Sequence, residues 1–140
     1  MAAHHPFAEL IDLQVAEVRP GASKMLLEAG ERHLNPHQVV HGAVLYAMAD
    51  TGMGAALYPT LAEGEICATI EIKISYFKPV RMGPVACETT LVNRGKMVAH
   101  LESRLTQHGV LVAAANGHYA IFKAPGVTPR PPQPGAPEGG

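Results

Sequence analysis

The stretch Asn35–Pro59, "NPHQVVHGAVLYAMADTGMGAALYP", decides the fold. Pro36 pushes the residue before it out of the helical region, so no helix runs through Asn35. From His41 to Leu57 the chain reads as one helix, stopped by Pro59. That helix holds a single charge, Asp50, among Ala, Val, Leu, Met, Gly, Tyr and Thr. Its apolar residues favour no side, which predicts a helix buried nearly all round. A carboxylate there costs several kcal/mol unless it is paired, solvated or neutralised. The helix itself offers no Lys or Arg to pair it.

The segments around this helix read as strands. "ICATIEIKISYF" (66–77) alternates with period two: Ile66, Ala68, Ile70, Ile72, Ile74 and Tyr76 share one face, and Cys67, Thr69, Glu71, Lys73, Ser75 and Phe77 the other. Val85 to Asn93, Met97 to Thr106 and Val110 to Phe122 come next, joined at Arg94-Gly95-Lys96 and His108-Gly109, turns short enough for antiparallel hairpins. Before the helix, Leu13 to Arg19 and Ser23 to Glu28 meet at Pro20-Gly21, and residues 6–12 form a short helix. These elements predict an α+β domain over residues 1–123, a long antiparallel sheet curling around one central helix. Residues 124–140, with six prolines and four glycines, read as a flexible tail. A sheet of this kind keeps an open edge that invites a second chain.

Composition narrows the function. The chain has 140 residues, 47% hydrophobic and 16% charged, with net charge −1. No basic run grips a phosphodiester backbone, and with no Trp, three Phe and four Tyr a base-stacking surface is not expected. The N-terminus lacks the pattern of a signal peptide, and the helix is too short and too polar to cross a membrane. Cys67 and Cys87, far apart in sequence, suit a reduced cytoplasmic protein.

Three features could carry chemistry. Asp50, at the edge of a cleft, would serve as base or nucleophile; as a structural residue it would bond a neighbouring backbone. Gly42 begins the helix, where the first N–H groups have no internal partner and the dipole is positive. A carbonyl can approach a glycine N–H closely, which is the physics of an oxyanion hole; tight packing explains the same glycine equally well. His33, His37 and His41 are spaced by four, but Pro36 breaks the helix a metal stripe would need, so no metal site is expected.

Asn35, six residues before His41-Gly42, and Asp50, nine after His41, resemble the motif of hotdog-fold acyl-CoA thioesterases. The phenylacetyl-CoA type, related to the 4-hydroxybenzoyl-CoA thioesterases, is the group most similar. "IEIKISYFKPVRMG" (70–83) resembles the family's long strand and its proline-containing exit. The resemblance spans roughly residues 10–123. It implies a hotdog fold, hydrolysis of an acyl-CoA to acid and CoA, and no cofactor beyond the CoA of the substrate. It also implies a homodimer, paired into a tetramer, as the working unit. In that reading the Gly42 N–H polarises the thioester carbonyl, Asp50 activates water or attacks directly, and Asn35 positions nucleophile or carbonyl. His41 orders the loop. Thr69 orients the water and is supplied by the other subunit. Two departures stand out. The family's second glycine after the histidine is Ala43 here. Strand alternation also puts Thr69 beside Glu71 and Lys73, so either that face meets the dimer cleft or the strand bulges.

For the substrate, Tyr46, Met48, Met53 and Leu57 are candidates to line an acyl pocket, aromatic or medium-chain. Lys78, Arg81, Arg94 and Lys96 are candidates for the CoA phosphates. A hydratase on the same fold would pair a catalytic His with an acid, but His41 and Asp50, nine apart, fall on opposite sides of a helix. A non-catalytic acyl-CoA sensor would have lost the carboxylate.

Overall fold

The alternating segments are strands and Asn35–Pro59 delivers the helix. The computed structural model describes residues 4–124. In chain order it contains α1 (Pro6–Ile11), β1 (Leu13–Arg19) and β2 (Ala22–Ala29), a 3₁₀ turn at Glu31–His33, and α2 (Gly42–Leu57). A second 3₁₀ turn at Tyr58–Thr60 leads into β3 (Glu65–Tyr76), β4 (Gly83–Arg94), β5 (Val98–Gln107) and β6 (Val110–Lys123). All but the first residue of the expected tail lie outside the described residues. Ala124 itself donates its N–H to the Gly64 carbonyl.

The six strands form one antiparallel sheet in the order β1-β2-β4-β5-β6-β3. The hairpins come from local chemistry. His108 and Gly109, both at positive φ (50° and 77°), make the tight turn between β5 and β6 with the twist that antiparallel strands prefer. After β2 the chain leaves the sheet to build α2 and returns as β3 on the far side of β6, so β3 is an edge strand. The sheet curls round α2, which touches all six strands. This is the hotdog fold.

Leu45, Met48, Met53 and Leu57 of α2 pack against Met25, Leu27, Val85, Leu101, Leu105 and Val112 from the inner face of the sheet, all buried. The helix is not buried all round. Tyr46, Asp50, Thr51 and Gly54 form a half-buried stripe, with Ala43 exposed above it. Apart from Asp50 and Thr51 the outer stripe has no strongly polar side chain, and Ala and Gly recur on both sides of the helix, so hydropathy separates the two only weakly.

One irregularity in the sheet sets the surroundings of Asp50. The pairing of β3 with β6 slips between Thr69 and Glu71. A bulge inserts one residue, and side chains on its two sides swap faces. Ile70 is thrown outward, 57% exposed. Thr69 therefore points inward although Ile72 and Ile74 do too.

Candidate active site

The bulge brings Thr69 onto Asp50. The Thr69 hydroxyl donates to Asp50 Oδ1 at 2.9 Å. Tyr119, the partner of Thr69 across the β3–β6 ladder, aims its phenol at the same oxygen and hydrogen-bonds to it. The phenol also lies 2.9 Å from the Asp50 carbonyl oxygen. The carboxylate is thus held by two hydroxyls rather than by a cation. Burial, with the Asp50 carboxylate beside it, pushes the Tyr119 phenol well above its ordinary range, so it keeps its proton and stays a donor. Asp50 Oδ2 takes no hydrogen bond from the described residues.

Asp50 lines a cavity of about 270 Å³ together with Ala47, Thr51, Gly54 and Tyr58 of the helix side, Cys67, Ala68 and Thr69 of β3, and Tyr119. His5 and Phe7 close one side. α1 puts them there: His5 caps it by accepting the Ala8 N–H at 3.1 Å, and Pro6 starts it. The cavity walls are mixed: a carboxylate and hydroxyls together with aromatic and small apolar side chains.

The second constellation sits at the start of α2. His41 is the N-cap, its Nδ1 accepting the Ala43 N–H at 2.9 Å. The Gly42 N–H finds no acceptor among the described residues. Tyr76 donates its hydroxyl to the Gly42 carbonyl at 2.7 Å, and a Cβ on Gly42 would come within 2.9 Å of the Tyr76 ring and hydroxyl. The packing explanation for this glycine therefore holds, and the open N–H holds beside it. Gly42, Tyr76, Phe77, Lys78 and Val80 line an apolar groove of about 380 Å³. Asn35 shapes the loop before it: its Oδ1 accepts from the His37 N–H at 2.9 Å and, more weakly, from Val39 at 3.4 Å, the bonds of an Asx turn.

Within one chain the two constellations do not meet. Asp50 lies eight residues after Gly42, a rise of about 12 Å along a helix. An oxyanion donor must sit within about 3 Å of the reacting oxygen. Asp50, Thr69 and Tyr119 form one group, and Gly42, His41 and the Asn35 loop another.

Several expectations need correction. The resemblance has Thr69 come from a partner subunit; the bond to Asp50 is made by the chain's own Thr69, because the bulge turns it inward. Met53, with Met48 and Leu57, is a candidate for the acyl pocket by sequence; all three are 0% exposed and belong to the core. Only Tyr46 of that group lies on the half-buried stripe. The four cations do not share a face. Arg94 is taken up by Glu65 (3.0 Å) and by the carbonyls of Gly95 and Thr60. It binds the start of β3, whereas Lys78 lies beyond its end, roughly 36 Å away for a strand of this length. Arg81 and Lys96 are exposed. The histidines separate as well. His33 is buried, with Nδ1 accepting from Gly30 and Nε2 on the Ile11 carbonyl, while His37 is exposed. Among the described residues no three His, Cys, Asp or Glu side chains gather as a metal site.

Sequence reasoning misses Tyr119, and with it His5, Phe7, Tyr58 and Cys67. A tyrosine in a strand is ordinary by itself. Its role comes from the β3–β6 register, which no local pattern in either strand encodes.

Comparison with known proteins agrees with this architecture. The sequence pattern of the thioesterase superfamily matches residues 37–114. Conserved protein PA5202 from Pseudomonas aeruginosa superposes with a TM-score of 0.81 at 26% identity, over 85% of this chain and 95% of that one. A mutant form of the phenylacetic acid degradation protein PaaI from Thermus thermophilus gives 0.78 at 27% identity, over 83% and 98%. A protein of Archaeoglobus fulgidus, provisionally named an esterase, is 29% identical over 111 residues, 78% of this chain and 70% of that relative.

Proposed function

This chain belongs to the thioesterase superfamily and is a thioester hydrolase; on that premise we propose that it hydrolyses acyl-CoA thioesters, with an aromatic or medium-chain acyl group, to the free acid and CoA. The observation that carries the proposal is the Asp50 carboxylate, fixed through Oδ1 by Thr69 and Tyr119 and lining a cavity beside the long helix. The aromatic side of the substrate range draws support from the PaaI relative, whose name places it in phenylacetic acid degradation. It also draws support from Phe7 and Tyr58 in the cavity wall.

The proposed reaction begins at the carbonyl. The thioester oxygen accepts a hydrogen bond from a Gly42 N–H at the positive end of a helix. A water between Asp50 Oδ2 and the thioester carbon gives its proton to Oδ2 as its oxygen bonds to the carbon. The tetrahedral oxyanion rests on the Gly42 N–H. When it collapses, the C–S bond breaks and the thiolate takes the proton back from Asp50. The thioester carbon becomes the carboxyl group, and the carboxylate is regenerated. No metal or cofactor enters this scheme: the carboxylate activates water and the N–H holds the oxyanion.

Because Gly42 and Asp50 of one chain are about 12 Å apart, the proposed site takes its carboxylate from one chain and its oxyanion donor from a second copy. The twelve-residue edge strand β3 is the means of joining them, by antiparallel pairing that extends the sheet. A homodimer is then the smallest active unit, and the proposed tetramer is a pair of such dimers. Lys78, in the groove beside Gly42, and Arg81, on the same loop, are the cations proposed to meet the CoA phosphates. Asn35 and His41 hold the loop that presents Gly42. A reduced, cytoplasmic setting is proposed from the wide sequence separation of Cys67 and Cys87.

Release of free thiol from a panel of acyl-CoA substrates tests the proposal. Turnover of phenylacetyl-CoA or of a six-to-ten-carbon acyl-CoA is expected. A folded, dimeric protein that releases no thiol from any member of the panel would overturn it.

A further inference from the structure

We infer that Tyr119 is a positioning residue for the hydrolysis: its phenol locks Asp50 through Oδ1 so that Oδ2 alone faces the water. The inference rests on the reading of Asp50 as the base, and goes beyond the residues that the family resemblance brought forward.

Three observations converge. Tyr119 is 3% exposed, so its ring has one place to sit and its hydroxyl one direction to point. It lies directly across the ladder from Thr69, so two neighbouring strands deliver two donors to one carboxylate oxygen. The bulge after Thr69 turns its hydroxyl to the inner face, in the same row as Tyr119, which the alternation of β6 already points inward. A carboxylate held by one hydroxyl can still rotate about its χ2, a broad and soft torsion. Held by two donors that converge from different strands on Oδ1, it cannot swing Oδ2 away from the cavity. Tyr119 keeps its own proton throughout: Oδ1 remains an acceptor whether Oδ2 carries the water's proton or not, so the phenol transfers nothing.

The geometry also separates the roles of the two hydroxyls. Thr69 reaches the cavity as well as the carboxylate. Its single hydrogen goes to Asp50, so it can only accept from the attacking water. Tyr119 also lines the cavity, but its hydroxyl is spent on Asp50, its second neighbour being the Asp50 carbonyl oxygen. Tyr119 therefore acts on the reaction through Asp50.

Tyr119→Phe in the full chain tests this. The expected result is a kcat about 10-fold lower, the loss of one hydrogen bond to a charged group, with KM within about 2-fold and the acid limb of the pH–rate profile moved to higher pH. In an Asp50→Asn background the same substitution should lower the residual rate no further, because the two residues act as one unit. Wild-type kcat in a folded Tyr119→Phe protein would overturn the inference, as would an equal loss in both backgrounds. Should Tyr119→Phe fail to fold, fluorotyrosines at position 119 keep ring and hydroxyl while strengthening the donor. They should then move the acid limb stepwise to lower pH, and an unmoved limb would overturn the inference. Full activity of Asp50→Asn, by contrast, would sink the base itself, a different result.

Discussion

Thr69 and Tyr119 face each other across β3 and β6, and both hydroxyls close on the same oxygen of Asp50. Two neutral donors thereby replace the cation that the helix does not supply. This resolves the apparent conflict of a carboxylate in an apolar helix: hydrogen bonds to a charged group are worth about 1.5–3 kcal/mol each, enough to offset partial burial. Thr69→Val keeps the shape and removes one donor. It should lower kcat about 10-fold or somewhat less and leave the fold intact, as measured by thiol release alongside thermal melting.

At the helix start, Gly42→Pro removes the N–H while keeping a backbone conformation that suits the helix. His41 already has the extended conformation (φ −60°, ψ 133°) that a succeeding proline requires, and proline is welcome at the first helical position. The new ring must displace Tyr76, whose hydroxyl end can give way. A kcat lower by about 10²-fold with helix content retained by circular dichroism is expected.

Mixing inactive chains tests the proposal that the site is shared between two copies. In a mixed dimer of Asp50→Asn and Gly42→Pro chains, one of the two sites receives an intact Asp50 from one chain and an intact Gly42 from the other. Random reassortment puts about half of all chains in mixed dimers. Activity should therefore return to about a quarter of wild type after co-refolding. If both residues acted within one chain, the mixture would stay as inactive as its components.

Much of this molecule is legible in its sequence. Period-two alternation in 66–77, the turn pairs Pro20-Gly21 and His108-Gly109, and the stop at Pro59 carry the element order, because each is local chemistry. Asp50 and Gly42 stand out for the same reason: a charge in an apolar run, and a glycine at a helix start. What stays hidden depends on register and on which way a helix faces. Met53 and Gly54 are equally acceptable neighbours of a pocket when every side of α2 is apolar. Only the docking of α2 on the sheet puts Met53 in the core and Gly54 in the cavity wall. Thr69 needs the bulge, and Tyr119 needs both the bulge and the β3–β6 pairing.

Alkaline pH probes the core independently. Burial pushes the Cys87 thiol from 9.0 up to about 11, partly offset by the Thr89 and Ser103 hydroxyls. Above pH 9 the unfolded chain loses this proton while the folded one keeps it. The unfolded state then binds fewer protons, and stability falls as pH rises. The Tyr119 phenol, also raised, acts in the same direction above its own ordinary value. Melting temperature should decline from about pH 9 upward, and Cys87→Ala should flatten the first part of that decline. A flat profile to pH 11 would show that neither group is held in its neutral form.

The most direct measurement is the turnover of Asp50→Asn on the best acyl-CoA substrate. Asparagine keeps an Oδ1 acceptor for Thr69 and Tyr119, so the side chain should stay in place and the protein should fold and dimerise as wild type. It cannot take a proton from water. General-base catalysis by Asp50 predicts a kcat lower by about 10²-fold or more, with KM little changed. In a single turnover of the wild-type enzyme in ¹⁸O water, it predicts label in the released acid and none in Asp50. Near-wild-type turnover by a well-folded Asp50→Asn protein would contradict it.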